Sequence, residues 1–254
     1  MELSRREENL LRALLTRGGR RRSGCCRCEG VRAVGELLLR APGQIRFILA
    51  TERGAGGIAA PPGLLRIVGE REFARYSDTV SSQGVIAVAA EPPPASGEVS
   101  GPFILALDRL ADPGNFGTIV RTWRAIGGRE LWLTRGTVDP YSEKSLRAGM
   151  GAQFALGIRY FDDLSTLCAA AGSAGYVNHF GTYPNRGESC FECADLYHRS
   201  VIVIGNEANG IGEAPESLRP VTIPMPGQYE SLNAAQAATV FLVEFVRRGG
   251  AAHS

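Results

Sequence analysis

The chain has 254 residues, 44% hydrophobic and 21% charged, with 28 basic residues against 26 acidic ones. That composition folds, and the length accommodates one large domain or two modest ones. No apolar run reaches the ~18–20 residues of a spanning helix, which argues against an integral membrane protein. The charged N-terminus lacks the apolar stretch of a secretory signal, so the expectation is a cytoplasmic protein whose six cysteines stay reduced. Cys25-Cys26-x-Cys28 and Cys190-x-x-Cys193 do not have the spacing of a zinc knuckle, and no metal is expected.

In chain order, residues 2–17 read as an amphipathic helix, with Leu3, Leu10, Leu11, Leu14 and Leu15 near one face, stopped by Gly18-Gly19. Val31 to Leu39 predicts a second helix, ending before the breaker Ala41-Pro42-Gly43. Ile45–Leu49, Leu64–Val68 and Val85–Ala89 are strand candidates. The stiff, polar run from Glu91 to Gly97, with Pro92-Pro93-Pro94, marks a linker. We place a first domain at 1–90, the linker at 91–101 and a second domain at 102–254.

Beyond the linker the pattern becomes strand, turn, helix. Phe103–Leu107, Leu131–Leu133, Tyr176–Phe180, Val201–Ile204 and Val221–Ile223 predict strands; Gly117–Ile126 and Leu232–Arg248 predict helices. Near-continuous apolar strands alternating with helices imply an α/β fold with a mostly parallel sheet covered on both faces. Such sheets bind ligands beyond the carboxyl ends of their strands.

Three motifs sit at strand ends. The first, Leu107-Asp108-Arg109-Leu110-Ala111-Asp112-Pro113-Gly114-Asn115-Phe116-Gly117-Thr118-Ile119-Val120-Arg121, makes a tight turn, leaves Asn115 or Thr118 to cap the next helix, and puts Arg121 on that helix. The second follows Val201–Ile204: Gly205-Asn206-Glu207-Ala208-Asn209-Gly210-Ile211-Gly212, a glycine-rich loop with one carboxylate. It has neither the dinucleotide fingerprint nor the lysine of a phosphate loop, but it lets a ligand approach the backbone closely. The third runs from Val221 through Ile223-Pro224-Met225 to Ser231-Leu232-Asn233, where Ser231 or Asn233 begins an alanine-rich helix.

Taken together, these motifs resemble the SpoU (TrmH-type) branch of the SPOUT RNA methyltransferases, densely over residues 102–248. Lys144-x-x-Arg147-Ala148-Gly149-Met150-Gly151-Ala152 is also similar to a family segment. Gly24–Val31 and Ser81–Val88 more loosely resemble the small L30e-like domain many members carry in front. The resemblance implies a SPOUT α/β-knot, a parallel sheet with a C-terminal trefoil knot, preceded by an L30e-like α/β substrate-binding domain. It also implies S-adenosyl-L-methionine as cofactor, a homodimer, and methylation of a ribose 2′-hydroxyl, in ribosomal RNA ahead of transfer RNA. An inactive RNA-binding protein with the same fold, and methylation of a base nitrogen, are the alternatives.

Carried over position by position, the resemblance assigns Arg121, Asn115, Glu207, Ser231 and Asn233 to catalysis. It assigns Thr182, Gly205, Asn206, Glu207, Ile223, Pro224, Met225, Ser231, Leu232 and Asn233 to cofactor binding. Trp123, Gly149, Ala208 and Ala234-Ala235 depart from the usual family pattern; for Trp123 a core or interface place is expected. Residues 1–40 hold ten arginines against five glutamates, a local +5 that leaves −3 for the rest. A basic first module suits nonspecific grip on phosphates.

Overall fold

The computed structural model describes residues 2–79, 81–227 and 231–250. They form two compact units, one of residues 1–93 with 139–155, the other of 94–138 with 156–254.

The first unit carries a four-stranded mixed sheet in the order β1 (Cys25–Glu29), β4 (Val85–Ala90), β2 (Ile45–Ala50), β3 (Leu65–Ile67). Helix α1 (Arg5–Leu14) starts at a capping box in which Ser4 and Glu7 satisfy each other's backbone N–H groups. The glycine pair does not end the helical region. A new helix, α2 (Arg17–Ser23), runs through Gly18-Gly19 from its N-cap Thr16. Gly19 is used for contact: a Cβ there would stand 1.9 Å from the Ala13 carbonyl oxygen, so the two helices cross closely. Helix α3 (Val31–Arg40) matches its expected span. The short helices α4 (Glu52–Ala55) and α5 (Glu70–Phe73) complete the unit's N-terminal part.

Strand β1 is not legible in the sequence, because Cys-Cys-Arg-Cys-Glu has no apolar alternation. All five residues are nevertheless buried. Arg27 within it is 2% exposed and is bound by the Tyr76 carbonyl and the carboxylates of Asp78 and Glu143. It is therefore not available to phosphates, a correction to counting all ten N-terminal arginines as grip. Arg20 is likewise engaged, with Asp139 at 3.1 Å. Burial pushes the Cys28 thiol up to about 12, keeping it protonated.

Helix α7 (Glu143–Gly149) packs with this unit, although the sequence reading puts its segment in the 102–254 domain. Its departure Gly149 has a steric reason: a Cβ there would meet the Gln153 Oε1 at 2.4 Å. That buried amide donates to the carbonyls of Ser145 and Pro140, at 2.7 and 3.2 Å.

The second unit is built on seven parallel strands in the order β7 (Gly157–Phe161), β6 (Glu130–Thr134), β5 (Phe103–Leu107), β10 (Ser200–Ile204), β8 (Asn178–Thr182), β11 (Leu218–Thr222), β9 (Glu188–Ser189). Every residue of the central strands β5 and β10 is buried, the signature of a sheet covered on both faces. Strand β8 begins two residues later than expected, since Tyr176 turns inward and its hydroxyl donates to the Gly101 carbonyl at 2.8 Å. Helices α6 (Pro113–Ala125), α8 (Leu164–Ser173) and α9 (Ala234–Arg247) complete the unit, with α6 and α9 packed together.

Trp123 lies in the core, 3% exposed, with its indole N–H on the Glu130 carbonyl at 2.8 Å. Its ring centroid is 5.1 Å from that of Phe103, which also meets Phe245 at 4.9 Å and Tyr197 at 5.3 Å. Aromatic pairs of this kind add about 0.5–1.5 kcal/mol each beyond the area they bury. They clamp α6 and α9 to the first strand of the unit.

Candidate active site

Strands β5, β8, β10 and β11 are neighbours and point the same way, so the chain leaves them on one edge of the sheet. The three motifs meet there. The first turns at once into α6: Pro113 is the first helical residue and Asp112 is the N-cap, its carboxylate accepting from the Asn115 N–H at 2.7 Å. Capping by Asp112 rather than by Asn115 or Thr118 leaves the Asn115 side chain free for other work.

That work is a relay across the motifs. The Asn115 amide donates to Glu207 Oε1 at 2.9 Å, and its Oδ1 accepts from the Asn233 amide at 2.9 Å. The backbone N–H groups of Ala111 and Asp112 also donate to Glu207, both at 3.2 Å. Asn233 in turn caps α9, accepting from the N–H groups of Ala235 and Gln236 at 2.9 and 3.3 Å. Partial burial alone would raise the Glu207 pKa. The Asn115 amide and the backbone donors outweigh it and hold the carboxyl below its ordinary range. Glu207 is thus an ionised acceptor that fastens the second motif to the first, not a proton donor.

The glycine loop is braced from behind. Asn206 and Gly210 exchange two backbone hydrogen bonds of 2.9 Å, and the Asn206 amide donates to the Arg109 carbonyl at 2.8 Å. Gly205 allows no side chain, since a Cβ would stand 2.5 Å from the Gly210 carbonyl carbon; at Gly212 a Cβ would stand 2.5 Å from the Arg109 guanidinium, which would have to shift. Gly210, at φ +64°, opens onto free space.

Asp108, which the sequence motifs do not single out, anchors this brace. Its carboxylate is 2% exposed and accepts from Thr134 Oγ1 at 2.6 Å, the Gly212 N–H at 2.9 Å and Arg109 Nε at 3.3 Å. The available signal is its place directly after a buried strand, where a carboxylate must find donors. Asp108→Ala is expected to cost about 2–4 kcal/mol in denaturant unfolding, because the Gly212 N–H and the Thr134 hydroxyl lose their acceptor. A loss below ~1 kcal/mol would show that water replaces it.

Between the loop and β11 lies a solvent-open cleft of about 200 Å³. Of the sequence-assigned cofactor residues, Thr182, Gly205, Asn206, Glu207, Ile223, Met225, Ser231 and Leu232 line it. Pro224 and Asn233 do not; Asn233 acts through Asn115. The Thr182 hydroxyl donates to the Val203 carbonyl at 3.0 Å, so only its lone pairs remain for a ligand. Tyr183, Pro184, Ala237 and Phe241, which belong to none of the motif assignments, complete the wall. Arg121 is outside the cleft wall, exposed on α6, with no hydrogen bond or ion pair among the described residues. Gln228, Tyr229 and Glu230 of the third motif lie outside the described residues.

No described helix is long and apolar enough to cross a membrane. Residues 102–243 match the model of the SpoU rRNA Methylase family. The 23S rRNA (guanosine(2553)-2′-O)-methyltransferase RlmP of Bacillus subtilis is 28% identical over 223 residues, 84% of this chain and 85% of that protein. A structure from Porphyromonas gingivalis assigned to the TrmH family of RNA methyltransferases superposes with TM-score 0.83 at 29% identity, covering 98% of this chain and all of that one. An AdoMet-bound rRNA methyltransferase from Sinorhizobium meliloti superposes with TM-score 0.75 at 27% identity, over 94% of each chain. With more than half of its length matched by the family model, the chain belongs to the SpoU rRNA methylase family.

Proposed function

We propose that the protein uses S-adenosylmethionine to methylate a ribose 2′-hydroxyl of RNA, with ribosomal RNA as the substrate. The observation that carries the reading is the cleft at the ends of β8, β10 and β11, tied through Glu207 and Asn115 to the helix that bears Arg121. The cleft fits a nucleoside cofactor. Ile204, Ile223, Met225 and Leu232 give apolar walls for a base, Gly210 admits close approach to backbone, and Thr182 and Ser231 supply polar edges. The bound AdoMet of the Sinorhizobium relative and the 2′-O specificity of the Bacillus one point the same way.

The cofactor, when bound, supplies an electrophilic methyl group on a sulfonium. The chain's own task is to place the hydroxyl. Arginine stays protonated in proteins, so Arg121 acts as a cation that pairs with the neighbouring RNA phosphate and orients the 2′-hydroxyl, while water or phosphate receives the proton. Glu207, Asn115, Ser231 and Asn233 hold cofactor cleft and arginine helix in register. The reading includes a C-terminal knot, as the family resemblance implies. It includes a homodimer, supported by the exposed Val243 and Val246 on α9. It keeps 1–90 as the RNA-binding domain, supported by the exposed Arg5, Arg6, Arg17, Arg21, Arg22 and Arg32.

The test is incubation with deproteinised ribosomal RNA and labelled S-adenosylmethionine, followed by nuclease digestion and mass spectrometry. A 2′-O-methyl nucleoside, with its adjacent linkage resistant to alkali, is the expected product. A methyl on a base, or cofactor and RNA binding without transfer, would falsify the reading.

A further inference from the structure

The loop after β8 carries an arginine that no motif includes. Arg186 is exposed, and its guanidinium carbon lies 3.9 Å from the centroid of the Tyr183 ring. Tyr183 and Pro184 line the cofactor cleft; Arg186 does not.

The loop is held firmly on both sides of this stack. The Tyr183 N–H donates to the Val221 carbonyl at 2.9 Å, and the Thr222 hydroxyl donates to the Pro184 carbonyl at 3.0 Å. Gly187, at φ +111°, lies against β11 so closely that a Cβ would stand 2.4 Å from the Pro220 carbonyl carbon. Arg186 has no acidic partner among the described residues. The next acid along the chain, Glu188, is 3.5 Å from Arg219. A stacked guanidinium loses little further freedom on binding, and its edge presents N–H groups in a planar fork suited to two phosphate oxygens.

We propose that Arg186, laid on Tyr183 at the rim of the cleft, binds a backbone phosphate of the RNA strand next to the nucleotide being methylated. The proposal rests on the RNA reading above and adds to it a second phosphate contact, separate from that of Arg121. A small anion inside the cleft, such as the cofactor's carboxylate, is the competing ligand. The position favours phosphate, because Tyr183 and not Arg186 forms the cleft wall.

Full-length wild type, Arg186→Ala and Arg186→Lys are compared for binding of deproteinised ribosomal RNA between about 50 and 200 mM salt, and for S-adenosylmethionine binding by calorimetry. Arg186→Ala is expected to bind RNA about tenfold more weakly at low salt, with the log–log salt slope shallower by about one. Its cofactor affinity and melting temperature should match wild type. Arg186→Lys should regain the slope, since the charge returns, but not the full affinity, since the fork does not. An unchanged slope in Arg186→Ala overturns the assignment, as does a cofactor affinity that falls along with RNA affinity. If wild type methylates RNA in the same assay, either result sinks only the Arg186 contact. A wild type that neither binds nor methylates RNA removes both readings.

Discussion

Arg121→Ala is expected to lower methyl transfer by at least ~100-fold while leaving S-adenosylmethionine affinity and folding stability essentially unchanged. The separation follows from where the residue sits. Phe116, Ile119, Val120 and Trp123 form the buried face of α6, and Arg121 shares the exposed stripe with Thr118. It supports no packing and contributes nothing to the cleft wall, so its removal takes away a cation and little else. Single-turnover kinetics at saturating cofactor, with calorimetry alongside, measure the two effects independently. Arg121→Lys should remain poor, because a point charge on a flexible stem cannot hold a phosphate and a hydroxyl in one plane. Near-wild-type transfer by the alanine variant removes Arg121 from the site, and full rescue by lysine reduces its role to charge.

Asn115→Asp should be the most damaging change to cofactor binding, at least tenfold at neutral pH, and its pH dependence should run opposite to wild type. In the native protein the Asn115 amide nitrogen stands 2.9 Å from Glu207 Oε1. The substitution puts a second carboxylate oxygen there, and two like charges at that distance repel even at a solvent-exposed site. Acid then restores the variant: one carboxyl of the pair takes up a proton and donates in place of the amide. For wild type the sign is reversed. The Glu207 pKa is depressed in the fold, so the stabilisation is complete above the unfolded carboxyl range and disappears as pH falls through the lower folded value. Calorimetric titrations with S-adenosylmethionine near pH 5 and pH 7.5 separate the two proteins: wild type, with Glu207 ionised at both, should bind about equally, whereas the variant should bind more tightly at pH 5. Equal affinities for variant and wild type at neutral pH would mean the relay does not support the cleft.

Much of this site is legible in the amino-acid sequence, and the parts that are not share a cause. The carboxylate in the glycine loop, the asparagine after Asp112-Pro113-Gly114 and the asparagine at the start of the last helix each stand out by residue type and position. Their mutual hydrogen bonds do not, since they join residues roughly a hundred positions apart and only the parallel order of β5, β10, β8 and β11 brings them together. Asp108 is marked only by its place directly after a buried strand; its partners, Thr134 and the Gly212 N–H, are not legible because they come from a different strand and a different loop. Tyr183, Ala237 and Phe241 carry no local mark of a cleft wall at all.

The same division holds across the chain. Local sequence determined what local physics decides: apolar runs became buried parallel strands, a Pro-Gly turn started α6, and breakers ended α3. It also determined the chemistry on offer, a set of polar side chains at strand ends and an exposed arginine on the following helix. Tertiary structure alone decided which of those groups meet. It put Arg27 of a basic segment in the core, because Asp78 and Glu143 neutralise it there. It carried a helix across Gly18-Gly19, because small residues permit the close crossing with α1. It made one carboxylate, Glu207, the joint between two motifs, since an ionised acceptor on a sheet edge is stable only where several donors converge.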